Sequence, residues 1–159
     1  MSEENTYVVG DLAGGVFVDT YVHKLDPKKR LTVPSDWREV VGLPKCCVVM
    51  PGVNERCLCA YPAREMKQRL EKLRNISIAD QKGRQVARII ASRSNLVPWD
   101  AQGRIRVSDD LLSFAGLTEE VVLVGAFECF ELWSPERWKE QQESVTQSNL
   151  GEALRSVGF

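Results

Sequence analysis

The sequence predicts an α+β fold, mainly β, made of two similar units that share one core. Three observations carry that prediction. The chain matches itself at an offset of 74 residues: Asp26 falls on Asp100, Arg30 on Arg104, Val33 on Val107, Asp36 on Asp110, Gly42 on Gly116, Leu43 on Leu117 and Val48 on Val122. Self-similarity at a fixed period marks a repeated supersecondary unit. The apolar runs are strand-sized, with Cys46–Met50 and Val121–Val124 fully apolar. Each unit, at about 50 residues, is too small to bury much surface alone.

The elements follow in chain order. Val16–His23 is β-branched and aromatic and reads as a strand, broken by the turn cluster Asp26-Pro27-Lys28-Lys29. Leu31 and Val33 then alternate with Arg30 and Thr32, as Ile105 and Val107 do with Arg104 and Arg106. The apolar pair faces a core and the polar partners face solvent. A short helix follows in each unit. Pro34 suits the first turn of one, Ser108 caps the other, and Gly42 and Gly116 supply left-handed stops. Cys46–Met50 with Cys57–Tyr61, and Val121–Val124 with Glu128–Trp133, close the units as strands. Beyond the turn region the offset falls to 72, pairing Leu58 with Phe130 and Tyr61 with Trp133. The segment 62–92 reads as helical, with a packing stripe of Met66, Leu70 and Leu73.

Composition narrows the function classes. With 43% hydrophobic and 27% charged residues the chain reads as soluble and globular. No apolar run approaches the roughly 20 residues of a membrane helix. The start has no basic n-region, so no signal peptide and an intracellular, cytoplasmic setting are expected. The five cysteines, Cys46, Cys47, Cys57, Cys59 and Cys129, show no C-x-x-C spacing. With His23 the only histidine, they are expected to be reduced core thiols with no metal site. An enzyme using a cysteine nucleophile with His23 as base is disfavoured: no cysteine neighbours His23 in the repeat frame, and no phosphate-binding glycine loop is present. No catalytic or cofactor-binding residue is expected.

The net charge of -1 hides a segregated pattern. Residues 62–93 carry +6 and residues 94–159 carry -6. Because a polyanion responds to local potential, a basic face can act on a molecule that is acidic overall. The residues for such a face are in the repeat. Asp-x-x-x-Arg occurs twice, at Asp26–Arg30 and Asp100–Arg104, each time across a turn between strands. An Asp at a turn start accepts backbone N–H bonds, and an Arg fork matches a phosphate or a guanine edge. Lys24, Lys28, Lys29 and Arg106 add positive charge.

These residues resemble the MraZ family of bacterial transcriptional regulators, encoded at the head of the division and cell-wall gene cluster. The resemblance rests on Phe17-Val-Asp-Thr-Tyr-Val-His-Lys-Leu-Asp-Pro-Lys-Lys-Arg-Leu-Thr-Val-Pro34, on Asp100-Ala-Gln-Gly-Arg-Ile-Arg-Val107, and on a closing Glu131-Leu-Trp-Ser-Pro-Glu-Arg-Trp138. It implies two tandem AbrB-like swapped-hairpin units forming a pseudo-symmetric β-barrel, in a homo-oligomeric ring. It divides the chain into an N-terminal extension (1–16), a first repeat (17–62), a basic helical connector (63–92), a second repeat (93–138) and a C-terminal tail (139–159), with both extensions expected to be solvated and disordered. It implies a nucleoid-associated repressor that binds double-stranded DNA at direct repeats in a promoter. The DNA-facing residues would be Arg30 and Arg104, with Asp26 and Asp100 shaping the turns, Lys28 and Lys29 in the first loop, and Gln102 and Gly103 in the second. The different class weighed beside it is a ring-forming, non-specific nucleoid-associated or scaffold protein. Two positions depart from the family. Lys29 stands where Gly usually precedes the Arg, at a cost of roughly 1 kcal/mol if the position needs positive φ, and Asp19 stands where Gly is common.

Overall fold

The computed structural model describes residues 15–77 and 81–159, with the side chains of 73–77, 147 and 148 outside the description. The first half runs β1 (Thr20–Lys24), β2 (Arg30–Thr32), α1 (Ser35–Val41), β3 (Cys46–Pro51) and β4 (Leu58–Pro62). Two helices follow, α2 (Ala63–Ser77) and α3 (Gln81–Ser92). The second half repeats the order as β5 (Asn95–Pro98), β6 (Arg104–Arg106), α4 (Asp109–Ala115), β7 (Glu120–Gly125) and β8 (Phe130–Trp133), then α5 (Pro135–Ser144) and α6 (Gln147–Ser156).

The strands pair antiparallel in a six-stranded sheet of order β1-β7-β8-β4-β3-β5 and a two-stranded sheet β2-β6. Exchanging the two halves maps this order onto itself. Val22 pairs with Val122, and the equivalent Leu96 pairs with Val48. Leu31 pairs with Ile105 and Cys59 with Glu131, so the pseudo-twofold passes through those two pairs. Each unit therefore gives its first strand to the other: β1 lies on β7, and β5 on β3. Neither unit completes a sheet alone, which is why their cores merge.

The ladders among the described residues do not close into the expected β-barrel. The large sheet is open, with β1 and β5 at its edges. β2 and β6 are three residues long and bond to each other, so they lid the core without bridging those edges. Period-2 alternation sets what faces inward. Leu31, Val33, Ile105 and Val107 are buried from the lid, as are Val49, Leu58, Leu123, Phe130 and Leu132 from the sheet. Trp37 of α1 fills the middle, 6.0 Å from Phe17, 5.2 Å from Tyr21 and 5.0 Å from Phe130 between ring centroids. Its indole N–H donates to the Val18 carbonyl at 2.9 Å, so the ring is both packed and satisfied.

Helix ends differ in detail from the sequence expectation. Pro34 is the N-cap of α1, not a residue of its first turn, because its ψ of 139° is still extended. Ser108 caps α4 as expected, its Oγ accepting from the Leu111 amide at 3.3 Å. Gly116 is left-handed (φ 66°, ψ 33°), whereas Gly42 has φ 65° and ψ -137°, a region that only glycine occupies freely. An arginine from the next helix finishes each C-terminus: Arg64 donates to the Val40 carbonyl at 2.8 Å, and Arg137 to the Phe114 carbonyl at 3.3 Å.

The connector is two helices. Met66 is buried, but Leu70 is 51% exposed, so the expected stripe packs only in part; Leu73 lies outside the described side chains. The expected N-terminal extension falls almost wholly outside the described residues. The tail is not extended coil: α5 starts at the Ser134 cap, where Oγ accepts from the Arg137 amide at 3.3 Å, and α6 follows with its described side chains exposed. Helix-favouring runs such as Glu140-Gln-Gln-Glu143 explain the helix, and their polarity explains the exposure.

Candidate nucleic-acid interface

The two Asp-x-x-x-Arg turns are built alike. Asp26 Oδ1 accepts from the backbone amides of Lys28 (2.9 Å) and Arg30 (2.7 Å), and Oδ2 from Arg30 Nε (2.6 Å). Asp100 Oδ1 accepts from the amides of Gln102 (2.9 Å) and Arg104 (3.0 Å), and Oδ2 from Arg104 Nε (2.8 Å). One carboxylate thus satisfies the loop amides and aims the arginine. The main chain closes each turn, with the amides of Asp26 and Asp100 donating to the carbonyls of Arg30 and Arg104 at 3.0 and 2.9 Å.

The residue before each arginine is left-handed: φ is 61° at Lys29 and 76° at Gly103. The first turn therefore keeps the geometry of the second despite the lysine, and carries the strain expected of it. Asp19, the other departure from glycine, also has positive φ, at 74°.

Tertiary structure brings the two turns together. In the β2–β6 ladder Arg30 faces Arg106 and Thr32 faces Arg104, which places both loops beside the same axis. Arg104 Nη1 lies 3.8 Å from Asp26 Oδ2 while its Nη2 pairs with Asp100 at 2.8 Å. Arg30 is held only through Nε; among the described residues its Nη1 and Nη2 carry no hydrogen bond, leaving a donor pair for a ligand. Lys28, Lys29 and Gln102 are exposed around it.

Electrostatics keeps the aspartates ionised. The Arg104 amide and then its guanidinium pull the Asp100 carboxyl from its ordinary 3.8 down to about 2. Asp26 is lowered too, by the Arg30 amide first, against a smaller opposing effect of burial.

Two residues at this surface carried no sequence signal. Asp109, at the start of α4, accepts from Lys29 Nζ at 3.1 Å and from Arg106 Nη2 at 2.8 Å, and its carboxyl is lowered by those two bonds, Arg106 first. Arg38 of α1 lays its guanidinium against Gly103, and its Nε is buried with no hydrogen-bond partner among the described residues. The repeat hides both, because Arg38 falls on Leu112 and Asp109 on Ser35 in the 74-residue frame. His23 sits on the edge strand β1, whereas the cysteines lie on or beside β3, β4 and β8, so no cysteine–histidine pair forms among the described residues. No described helix is long and apolar enough to cross a membrane.

Comparison with known proteins finds a family match in two tandem copies. The family model for the MraZ protein matches twice, over residues 16–89 and 90–156. Those spans correspond to the two halves that exchange strands. A protein of Clostridium acetobutylicum named transcriptional regulator MraZ is 33% identical over 145 residues, covering 91% of this chain and all of that one. The protein of the same name from Thermomicrobium roseum is 34% identical over 140 residues, covering 88% and 96%. That of Clostridium beijerinckii is 32% identical over 145 residues, covering 91% and 100%. Two family matches in tandem, and relatives aligned along nearly their whole length, establish that the chain belongs to the MraZ family.

Proposed function

We propose that the protein is a sequence-specific DNA-binding transcriptional regulator, acting as a repressor in the cytoplasm at the nucleoid. Its target would be closely spaced direct repeats upstream of the division and cell-wall gene cluster, bound by a homo-oligomeric ring. The observation that carries the reading is the pair of Asp-x-x-x-Arg turns set side by side by the β2–β6 ladder. Arg30 and Arg104 are each held from behind by a carboxylate, so their forks are ordered before DNA arrives and lose less entropy on binding. Lys28, Lys29 and Arg106 would supply phosphate contacts that fix register without reading sequence. The family's regulators support the class of function, and the acidic second half limits indiscriminate attraction to polyanions.

The test is the double variant Arg30→Ala/Arg104→Ala, compared with the native chain for binding to the gene's own upstream DNA across a salt series. The variant should remain folded and keep its oligomeric state, while losing most specific affinity. The native chain should weaken steeply as salt rises. Retained affinity in the variant would remove these residues from the interface. Equal affinity of the native chain for upstream and scrambled DNA would favour a non-specific nucleoid-associated or scaffold role.

A further inference from the structure

The sheet has a second face, and three cysteines meet on it. In β4, Leu58 and Ala60 point into the main core, so Cys59, and Cys57 just before the strand, point the other way. In β8, Phe130 and Leu132 point inward, and Glu131 and Trp133 point out. The register Cys59↔Glu131 sets these rows against each other on the pseudo-twofold. The Cys59 thiol lies 3.9 Å from Glu131 Oε2, and the ligand atoms of Cys57, Cys59 and Glu131 all fall within 4.8 Å of one another. Cys129, two residues before Glu131, lies beside Cys59. Three of the five cysteines expected from sequence to be reduced core thiols are therefore gathered beside one carboxylate.

We propose that Cys57, Cys59, Cys129 and Glu131 bind one thiophilic divalent transition-metal ion of the zinc class. Three sulfurs and one carboxylate oxygen are a complete tetrahedral donor set for such an ion. With metal–sulfur bonds of about 2.3 Å, tetrahedral ligand atoms stand roughly 3.8 Å apart, so Cys57, Cys59 and Glu131 close by shifts of about 1 Å, and Cys129 would complete the set by side-chain rotation. The outer shell is in place. Trp133 Nε1–H donates to Glu131 Oε1 at 3.1 Å, fixing the carboxylate so that Oε2 faces the thiols. Cys59 and Glu131 are only half-buried, which gives an entry path, while Cys57 and Cys129 are buried.

Among the described residues no Lys or Arg forms an ion pair with Glu131. Binding of a divalent ion would displace the thiol protons to solvent. The proposal is independent of the DNA-binding reading.

The test uses the full-length protein, reduced and freed of metal, titrated with Co2+ and then Zn2+. Co2+ should saturate at one equivalent with a thiolate-to-cobalt charge-transfer band and the intense visible bands of a tetrahedral site, and Zn2+ should displace it. Zn2+ should also slow iodoacetamide alkylation of Cys59 by at least about tenfold, as expected when a thiolate becomes a metal ligand, while leaving Cys46, which is also half-buried, unchanged. Cys59→Ser should lower metal affinity by more than about 100-fold, beyond the range of outer-shell changes. A weak octahedral cobalt spectrum without the charge-transfer band, or equal alkylation of Cys59 with and without Zn2+, would overturn the proposal. Both readouts use the native chain, so they stand even if Cys59→Ser does not fold.

Discussion

The guanidinium of Arg38 occupies the space that a side chain on Gly103 would need: a Cβ there would lie 2.6 Å from Arg38 Cζ and Nη1. The contact joins helix α1 of one unit to the second Asp-x-x-x-Arg turn of the other. The pseudo-twofold places Lys29 where Gly103 stands and Leu112 where Arg38 stands. One turn thus has a glycine backed by an arginine, while the other has a lysine and, at the helix position, a leucine. The two turns are not interchangeable.

Gly103→Ala should destabilise the protein by about 1–2 kcal/mol, since φ of 76° strains an L residue and the guanidinium must move. The clash part is separable. In the double variant Gly103→Ala/Arg38→Ala the urea midpoint should recover part of the loss, with a coupling of about 0.5 kcal/mol or more, as for residues in contact. Simple additivity would show that the arginine swings aside freely.

Lys29→Gly should act in the opposite direction. Relief of left-handed strain at φ 61° outweighs both the added freedom of the unfolded chain and an exposed Lys29–Asp109 pair. A gain of up to about 1 kcal/mol is expected. Thermal unfolding measures it. If the DNA reading holds, the same variant should flatten the salt dependence of binding by loss of one cation, and a fall in stability would contradict the strain argument.

Asp100 supplies a pH prediction. Its carboxyl is held at about 2, below its ordinary 3.8. For a lowered folded-state pKa, the stabilising contribution is fully present above the unfolded value and is lost as pH falls through the folded one. Stability should therefore decline between these values in the native chain. Asp100→Asn keeps an oxygen for the loop amides but cannot ionise, so its urea midpoint should fall less over that window. Parallel acid limbs in the two proteins would refute the assignment.

Trp37→Ala should cost about 3–5 kcal/mol, the range for deleting a buried aromatic from a packed core. Here Phe17, Tyr21 and Phe130 all pack on the indole, and the Val18 carbonyl loses its donor. Chemical denaturation monitored by far-ultraviolet circular dichroism checks this. A loss under about 1 kcal/mol would mean that the site collapses around the deletion, which contacts with three rings and a hydrogen-bonded carbonyl argue against.

What the sequence determined alone is whatever depends on near neighbours along the chain. The Asp-x-x-x-Arg turns were legible because carboxylate, loop amides and guanidinium lie within five residues, so two similar strings form two similar turns. The same holds for Leu31 and Ile105 facing inward, the Ser108 cap and the strained Lys29. The resemblance identified the family from these strings, and the comparisons agree. The hairpin pairings β3–β4 and β7–β8 were legible as well. Only tertiary structure decided the long-range pairings, because backbone bonding between β1 and β7 leaves no local signature. It exchanged first strands between units and left the sheet open, and it set Arg104 near Asp26 and Arg38 against Gly103. It also gathered Cys57, Cys59 and Glu131 from strands separated by 72 residues. Spacing rules find ligands on one stretch of chain, and a cluster made by cross-strand register escapes them.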